Sequence, residues 1–244
     1  MSEPSRLPAR EPLEIRAEEA HVWSASLDLD ERGILPLERV LSLDERERAG
    51  RFSLALPRRR FVAARGILRA VLSRYVGTDP AAIILSYGDH GKPFLAEPCG
   101  PPGIQFNVSH AGDVALIAVT RGRGVGIDIE AIDSRAYQEA IVRRFFSPHE
   151  QDALRSIPED GRERTFIVFW TRKEACIKAS GLGFSLPLSS FDVSSDANEP
   201  RVIVCGGEGD RVWTVVDIKT AAGFAAACAV DGVGLRIVRR DFRL

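Results

Sequence analysis

The four cysteines, Cys99, Cys176, Cys205 and Cys228, stand far apart, and none pairs in a C-x-x-C spacing. That excludes the common zinc and dithiol motifs, and an even count in a chain of 244 residues does not argue for disulfides. Cys176 and Cys228 lie among apolar neighbours and read as small core side chains. No run of about 18 apolar residues occurs, and Met1-Ser2-Glu3-Pro4-Ser5-Arg6 carries mixed charge without an apolar stretch behind it. The expectation is a cytoplasmic protein with no membrane partner. Charge of one sign is not in excess either: the net charge is −1, so no nucleic-acid partner is expected. Gly122-Arg123-Gly124-Val125-Gly126 lacks the spacing of a dinucleotide fingerprint and leads into a strand rather than a helix.

What is present is an ordinary globular composition, 45 % hydrophobic and 27 % charged, able to build a core without disulfides or structural metal. The length suits one large domain or two halves of about 120 residues each. Residues 1 to 14 are rich in proline and charge and read as loose. A strand is predicted at 22–27. Ser42-Leu43-Asp44-Glu45 has the spacing of a capping box and opens a short helix. Pro57 followed by residues 58–76 predicts a long helix stopped at Gly77. Strands follow at 83–87, 104–108 and 113–120. A similar order restarts near residue 124: a strand at 125–130, a short helix near 136–144, and a second capping box in Ser147-Pro148-His149-Glu150. A long helix over 162–180 then ends at Gly181, before strands at 190–194, 201–205, 211–218, 223–230 and 235–239. Strand, short helices, long helix and several strands therefore occur twice. The pattern argues for α+β halves rather than a doubly wound parallel sheet.

Chemistry concentrates in three places. In Val125-Gly126-Ile127-Asp128-Ile129-Glu130, a strand places the apolar side chains on one face and both carboxylates on the other, about 7 Å apart. In Trp170-Thr171-Arg172-Lys173-Glu174-Ala175-Cys176-Ile177-Lys178, helical spacing puts Glu174 and Lys178 on one face. Three carboxylates and a lysine suit a hard cation with an acid/base pair; the same residues also read as a wet strand face and a surface pair worth about 0.3–0.5 kcal/mol. In Phe106-Asn107-Val108-Ser109-His110-Ala111-Gly112, a strand ends in a glycine turn able to hold phosphate. Ser109 and His110 do not form a nucleophile pair, because neighbours on a strand face opposite sides. Arg58, Arg65 and Arg69 share much of one helix face, suited to a phosphate monoester or simply to solvent. Gly91-Lys92-Pro93 adds a cation in a turn.

Together, in order and spacing, these motifs resemble the 4′-phosphopantetheinyl transferase superfamily, specifically its long surfactin-synthetase-activating type. Phe145-Phe146-Ser147 before Glu150, Gly181-Leu182-Gly183 and Leu186-Pro187-Leu188 fall in place as well. The resemblance implies an α+β pseudo-dimer of two similar halves, residues 1–123 and 124–244, with the active site at their interface. It implies transfer of 4′-phosphopantetheine from coenzyme A to a serine of an apo acyl or peptidyl carrier protein, with Mg²⁺ and release of 3′,5′-ADP. Asp128, Glu130 and Glu174 match the metal-binding carboxylates. Arg65, Lys92, Ser109, His110 and Lys178 match positions that contact coenzyme A phosphates, and Arg48 stands where a basic residue near the 3′-phosphate is frequent. Glu45 occupies a place where some members carry another basic residue. Glu174 is the first choice of general base and Glu150 the second; Lys178 and His110 would stabilise the leaving phosphate. The segment after Arg135 leading to Phe145-Phe146 reads as a carrier docking surface or as core. A monomer is expected, and the wording around Trp170 is more like the polyketide- and lipid-associated branch than the surfactin-synthetase-activating enzyme itself. Two other readings are a non-catalytic coenzyme A or carrier-protein binding module and a Mg²⁺-dependent pyrophosphate hydrolase.

Overall fold

The computed structural model describes residues 7, 11–88, 90–96, 103–133, 138–193, 201–205 and 210–244. Its elements, in chain order, are β1 (Glu19–Ser26), α1 (Glu31–Arg39), α2 (Leu43–Gly50), α3 (Ala55–Val76), β2 (Leu85–Tyr87), β3 (Pro93–Leu95), β4 (Ile104–Ala111), β5 (Val114–Arg121), β6 (Val125–Ala131), α4 (Glu139–Phe145), α5 (Pro148–Ser156), α6 (Glu159–Ser180), β7 (Arg201–Cys205), β8 (Asp210–Asp217), β9 (Phe224–Asp231) and β10 (Arg236–Asp241). Among the described residues, no helix is long and apolar enough to cross a membrane.

The local signals act as the sequence suggests. Glu45 and Glu150 close capping boxes at the starts of α2 and α5. Gly77 and Gly181 end the two long helices in the left-handed conformation, with φ of 70° and 72°, where a side chain would be strained. Helix α1 escapes the sequence reading because Pro36 lies inside it; Asp30 caps its start by accepting from Gly33 N.

Two four-stranded sheets form the frame. One has the order β10-β1-β5-β4 and the other β6-β9-β8-β7; β2 and β3 form a small separate hairpin. Three strands follow the same antiparallel order in each large sheet: β1-β5-β4 and β6-β9-β8. The final strand does not stay with the residues preceding it. β10 runs back to pair parallel with β1, so residues 236–241 complete the first sheet.

Each sheet buries one face under a 22-residue helix, α3 or α6. Their other faces pack on each other, with Ala20, Val22, Leu116 and Ala118 meeting Val125, Ile127, Ile129, Cys228 and Val230. The alternation read from residues 125–130 is thus obeyed: apolar side chains meet the first sheet while Asp128 and Glu130 face α6. Cys176 and Cys228 are free and fully buried, and burial pushes both thiols up to about 12.

The strand expected at 190–194 does not form in its described part. Leu188–Ser190 is a short 3₁₀ turn, and Phe191 to Val193 have no strand neighbour. Side chains satisfy that backbone instead: Val193 N donates to Glu150, Val193 O accepts from Arg172, and the carbonyls of Leu188 and Phe191 accept from Lys173.

Candidate active site

The site begins with a glycine. A Cβ on Gly126 would lie 2.0 Å from the Ala175 carbonyl oxygen and 2.4 Å from Ala179 N, so only glycine lets β6 lie directly against α6. That approach brings the side chains of β6 and α6 together. Asp128 is buried, and its Oδ1 accepts from Lys178 Nζ at 2.6 Å and from Ser109 Oγ at 3.0 Å. Lys178 Nζ also reaches Ser109 Oγ at 3.2 Å. One residue from the first half and two from the second are thereby tied in one knot.

Carboxylates are in excess of their cation here. Burial, then the charge of Asp128, pushes Glu130 above the usual carboxylate range, with Lys178 opposing. Glu174 is raised by burial and by Asp128, with a further push from Glu130 and opposition from Lys178. Asp128 Oδ2 and Glu174 Oε1 are buried without a hydrogen-bond partner. Each such orphan costs about 1–3 kcal/mol unless something satisfies it. As the side chains stand, no group of three His, Cys, Asp or Glu among the described residues is arranged to hold a metal ion. The donor chemistry nevertheless fits a hard divalent cation: all oxygen, two atoms unpartnered, and a mutual repulsion that a cation would relieve.

Beside the knot, His110 points away from Ser109, as strand alternation requires. It lines a cleft of about 530 Å³ together with Arg48, Arg65, Phe52 and Phe61. The Arg48 guanidinium stacks 5.3 Å from the Phe61 ring centre. Arg65 donates to Glu45 Oε1 and to the Tyr87 hydroxyl, both at 2.7 Å. Of the arginines grouped on the sequence, Arg69 is buried against Glu45 and the carbonyls of Pro80 and Ile83, and Arg58 pairs with Glu38. Only Arg65 of the three faces the cleft.

Two residues singled out on the sequence stand away from that cleft. Glu150, the second choice of base, is wholly buried. Its oxygens accept from Ser147 N, Val193 N and Lys173 Nζ, so it has no surface on which to meet a substrate. Burial raises its pKa and lowers that of Lys173, while the pairing opposes both shifts. Lys92 does not line the cleft that holds His110, Arg48 and Arg65. Its Nζ donates to the carbonyls of Val125 at 2.9 Å and Lys178 at 2.6 Å, and burial pushes its pKa down to about 8. Phe146 is core, stacked with Phe166 and Trp170, whereas Phe145 is half-buried against the Trp170 edge; Arg135 lies outside the described residues.

Sequence reasoning left out Lys173 and Asn107. Lys173 grips Glu150, Leu188 O and Phe191 O, and Asn107 Oδ1 accepts from Ile127 N. Lys173 stands between Arg172 and Glu174 in the sequence, and nothing local marks it as the buried member of that charged run.

Comparison with known proteins identifies the family. The profile of the 4'-phosphopantetheinyl transferase superfamily matches residues 124–229, and that of the 4'-phosphopantetheinyl transferase N-terminal region matches residues 30–121. The chain is 36 % identical over 228 residues to 4'-phosphopantetheinyl transferase HetI of Nostoc sp., covering 93 % of this chain and 94 % of that one. It is 33 % identical over 153 residues to 4'-phosphopantetheinyl transferase Sfp of Bacillus subtilis, covering 63 % and 66 %. A putative 4'-phosphopantetheinyl transferase of Synechocystis sp. is 32 % identical over 167 residues, covering 67 % and 65 %. An enzyme is therefore in hand, and the chain belongs to the 4'-phosphopantetheinyl transferase superfamily.

Proposed function

We propose that the chain transfers 4′-phosphopantetheine from coenzyme A to a serine hydroxyl of an apo acyl or peptidyl carrier protein, releasing 3′,5′-ADP. The observation that carries this reading is the Ser109–Asp128–Lys178 knot, with a buried oxygen left unpartnered on Asp128 and another on Glu174. The repeated strand order supports a pseudo-dimer, residues 1–123 and 124–244, with β10 crossing back.

A serine hydroxyl is a weak nucleophile and must shed its proton as it attacks phosphorus. Glu174 is the base of choice: it shares a face of α6 with Lys178 and lies close enough to Asp128, which anchors Lys178, to feel its charge. As the serine O–P bond forms, the P–O bond to 3′,5′-ADP breaks. Lys178 supplies positive charge to the departing phosphate, and His110, facing the cleft with Arg48 and Arg65, holds the phosphates of coenzyme A. Asp128, Glu130 and Glu174 would hold Mg²⁺, which supplies charge neutralisation at the pyrophosphate when bound.

The test is the intact mass of an apo carrier protein incubated with this chain, coenzyme A and Mg²⁺. A gain of about 340 Da that EDTA abolishes supports the reading. Free phosphopantetheine released without a carrier would replace it with a hydrolase, and bound coenzyme A without any turnover across fatty-acid, polyketide and peptide carriers with a binding module.

A further inference from the structure

β6 is an edge strand of its sheet, so its outer backbone groups have no neighbouring strand to satisfy them. Three side chains do so. Lys92 donates to Val125 O, Asn107 Oδ1 accepts from Ile127 N, and Lys178 lies 3.4 Å from Ile127 O. Lys92 and Asn107 come from the first half.

Lys92 has a second acceptor. Lys178 is in the last turn of α6, where carbonyls have no partner within the helix. The Lys92 ammonium caps the Lys178 carbonyl, in the orientation that the negative end of a helix dipole favours. The same residue whose backbone is capped sends its own ammonium to Asp128. Val125 and Asp128 are three positions apart on β6. One cation from the β2–β3 hairpin thus fixes the two elements that carry the reacting groups.

We infer that Lys92 is a positioning residue: it clamps the C-terminus of α6 and the edge of β6 to the first half, holding Lys178 and Asp128 in register, and does not ligate a phosphate of coenzyme A. The inference uses the transfer reading only for its activity readouts; its stability and exchange readouts stand without it.

K92M and K92R decide it. Under the clamp, K92M lowers the melting temperature of the ligand-free chain and speeds amide exchange in residues 125–129 and 177–181. It also lowers kcat at least tenfold while the Kd for coenzyme A, by titration calorimetry, moves less than twofold. K92R, which keeps a charged donor, recovers part of the stability. A phosphate ligand gives the opposite: unchanged stability and exchange in K92M, with a Kd raised tenfold or more, and that result overturns the inference. Should K92M not fold, the wild-type chain answers, because it has only four lysines, Lys92, Lys173, Lys178 and Lys219. With lysine-selective isotope labelling, the Lys92 side-chain nitrogen signal stays in place when coenzyme A is added if Lys92 is a clamp. A shift with coupling to phosphorus overturns it. A wild-type chain that binds no coenzyme A would defeat the proposed function while leaving the exchange experiment on K92M to judge the clamp.

Discussion

Both halves of this molecule use the same device and put it to different ends. In each, a capping-box glutamate opens a short helix, is buried, and is gripped by a cation of the following 22-residue helix. In the first half Glu45 takes Arg65 and Arg69. In the second Glu150 takes Lys173, and both of those side chains are 0 % exposed. The first pairing is partly open, because Arg65 also lines the cleft with Arg48 and His110. The second is sealed and serves only to hold α5, α6 and residues 188–193 together. A local motif can therefore repeat while its neighbours decide whether its cation reaches an open cleft or only the core.

That difference can be broken in four ways. The largest effect should come from Glu174→Gln, which removes the proposed base from the second half. Turnover should fall by about 10²–10⁴-fold. The metal-free protein should nonetheless melt higher, since a buried carboxylate raised by its neighbours is relieved of its charge. Steady-state kinetics and a thermal melt in EDTA check both. A lower melting temperature would mean that Glu174 stabilises the fold and that the repulsion has been misread.

Next comes Lys173→Met, which leaves Glu150 buried and uncompensated. A loss of about 3–5 kcal/mol is expected, a melting temperature lower by roughly 10 °C or more for a chain of this size. Glu150→Gln added to it should return part of that loss in denaturant titrations. If Lys173→Met costs no more than a surface substitution, the sealed pair is not holding the second half.

Glu45→Gln should be milder, about 1–3 kcal/mol, because Arg69 keeps its carbonyl partners. It should also free Arg65 and tighten coenzyme A binding a few-fold in a calorimetric titration. An unchanged or weaker affinity would remove the contrast between the open and sealed pairs.

The smallest effect concerns His21, buried in the first sheet between the Tyr75 hydroxyl and Glu19. Burial, with Arg240 adding and Glu19 opposing, holds its pKa below the usual histidine value. The unfolded chain therefore takes up a proton that the folded chain refuses, and stability falls as pH drops below about 6.5. His21→Gln should flatten that slope in denaturant titrations between pH 5 and 6.5; an equally steep slope would assign it to the carboxylates.

Most short-range features were present in the sequence alone; α1, with Pro36 inside it, was the exception. The capping boxes at Ser42 and Ser147, the stops at Gly77 and Gly181, the alternation of Val125 to Glu130, and the shared face of Glu174 and Lys178 are set by residues within four positions of each other. Local backbone sterics and side-chain spacing decide such features before any tertiary contact exists. The tertiary structure decided the rest: that β10 returns to β1, that Glu150 faces Lys173 rather than a substrate, and that Lys92 reaches across to Val125 and Lys178. A buried carboxylate or ammonium takes whichever partner the packed core puts within reach. The cost of leaving it alone in low dielectric outweighs any preference written in its neighbours along the chain.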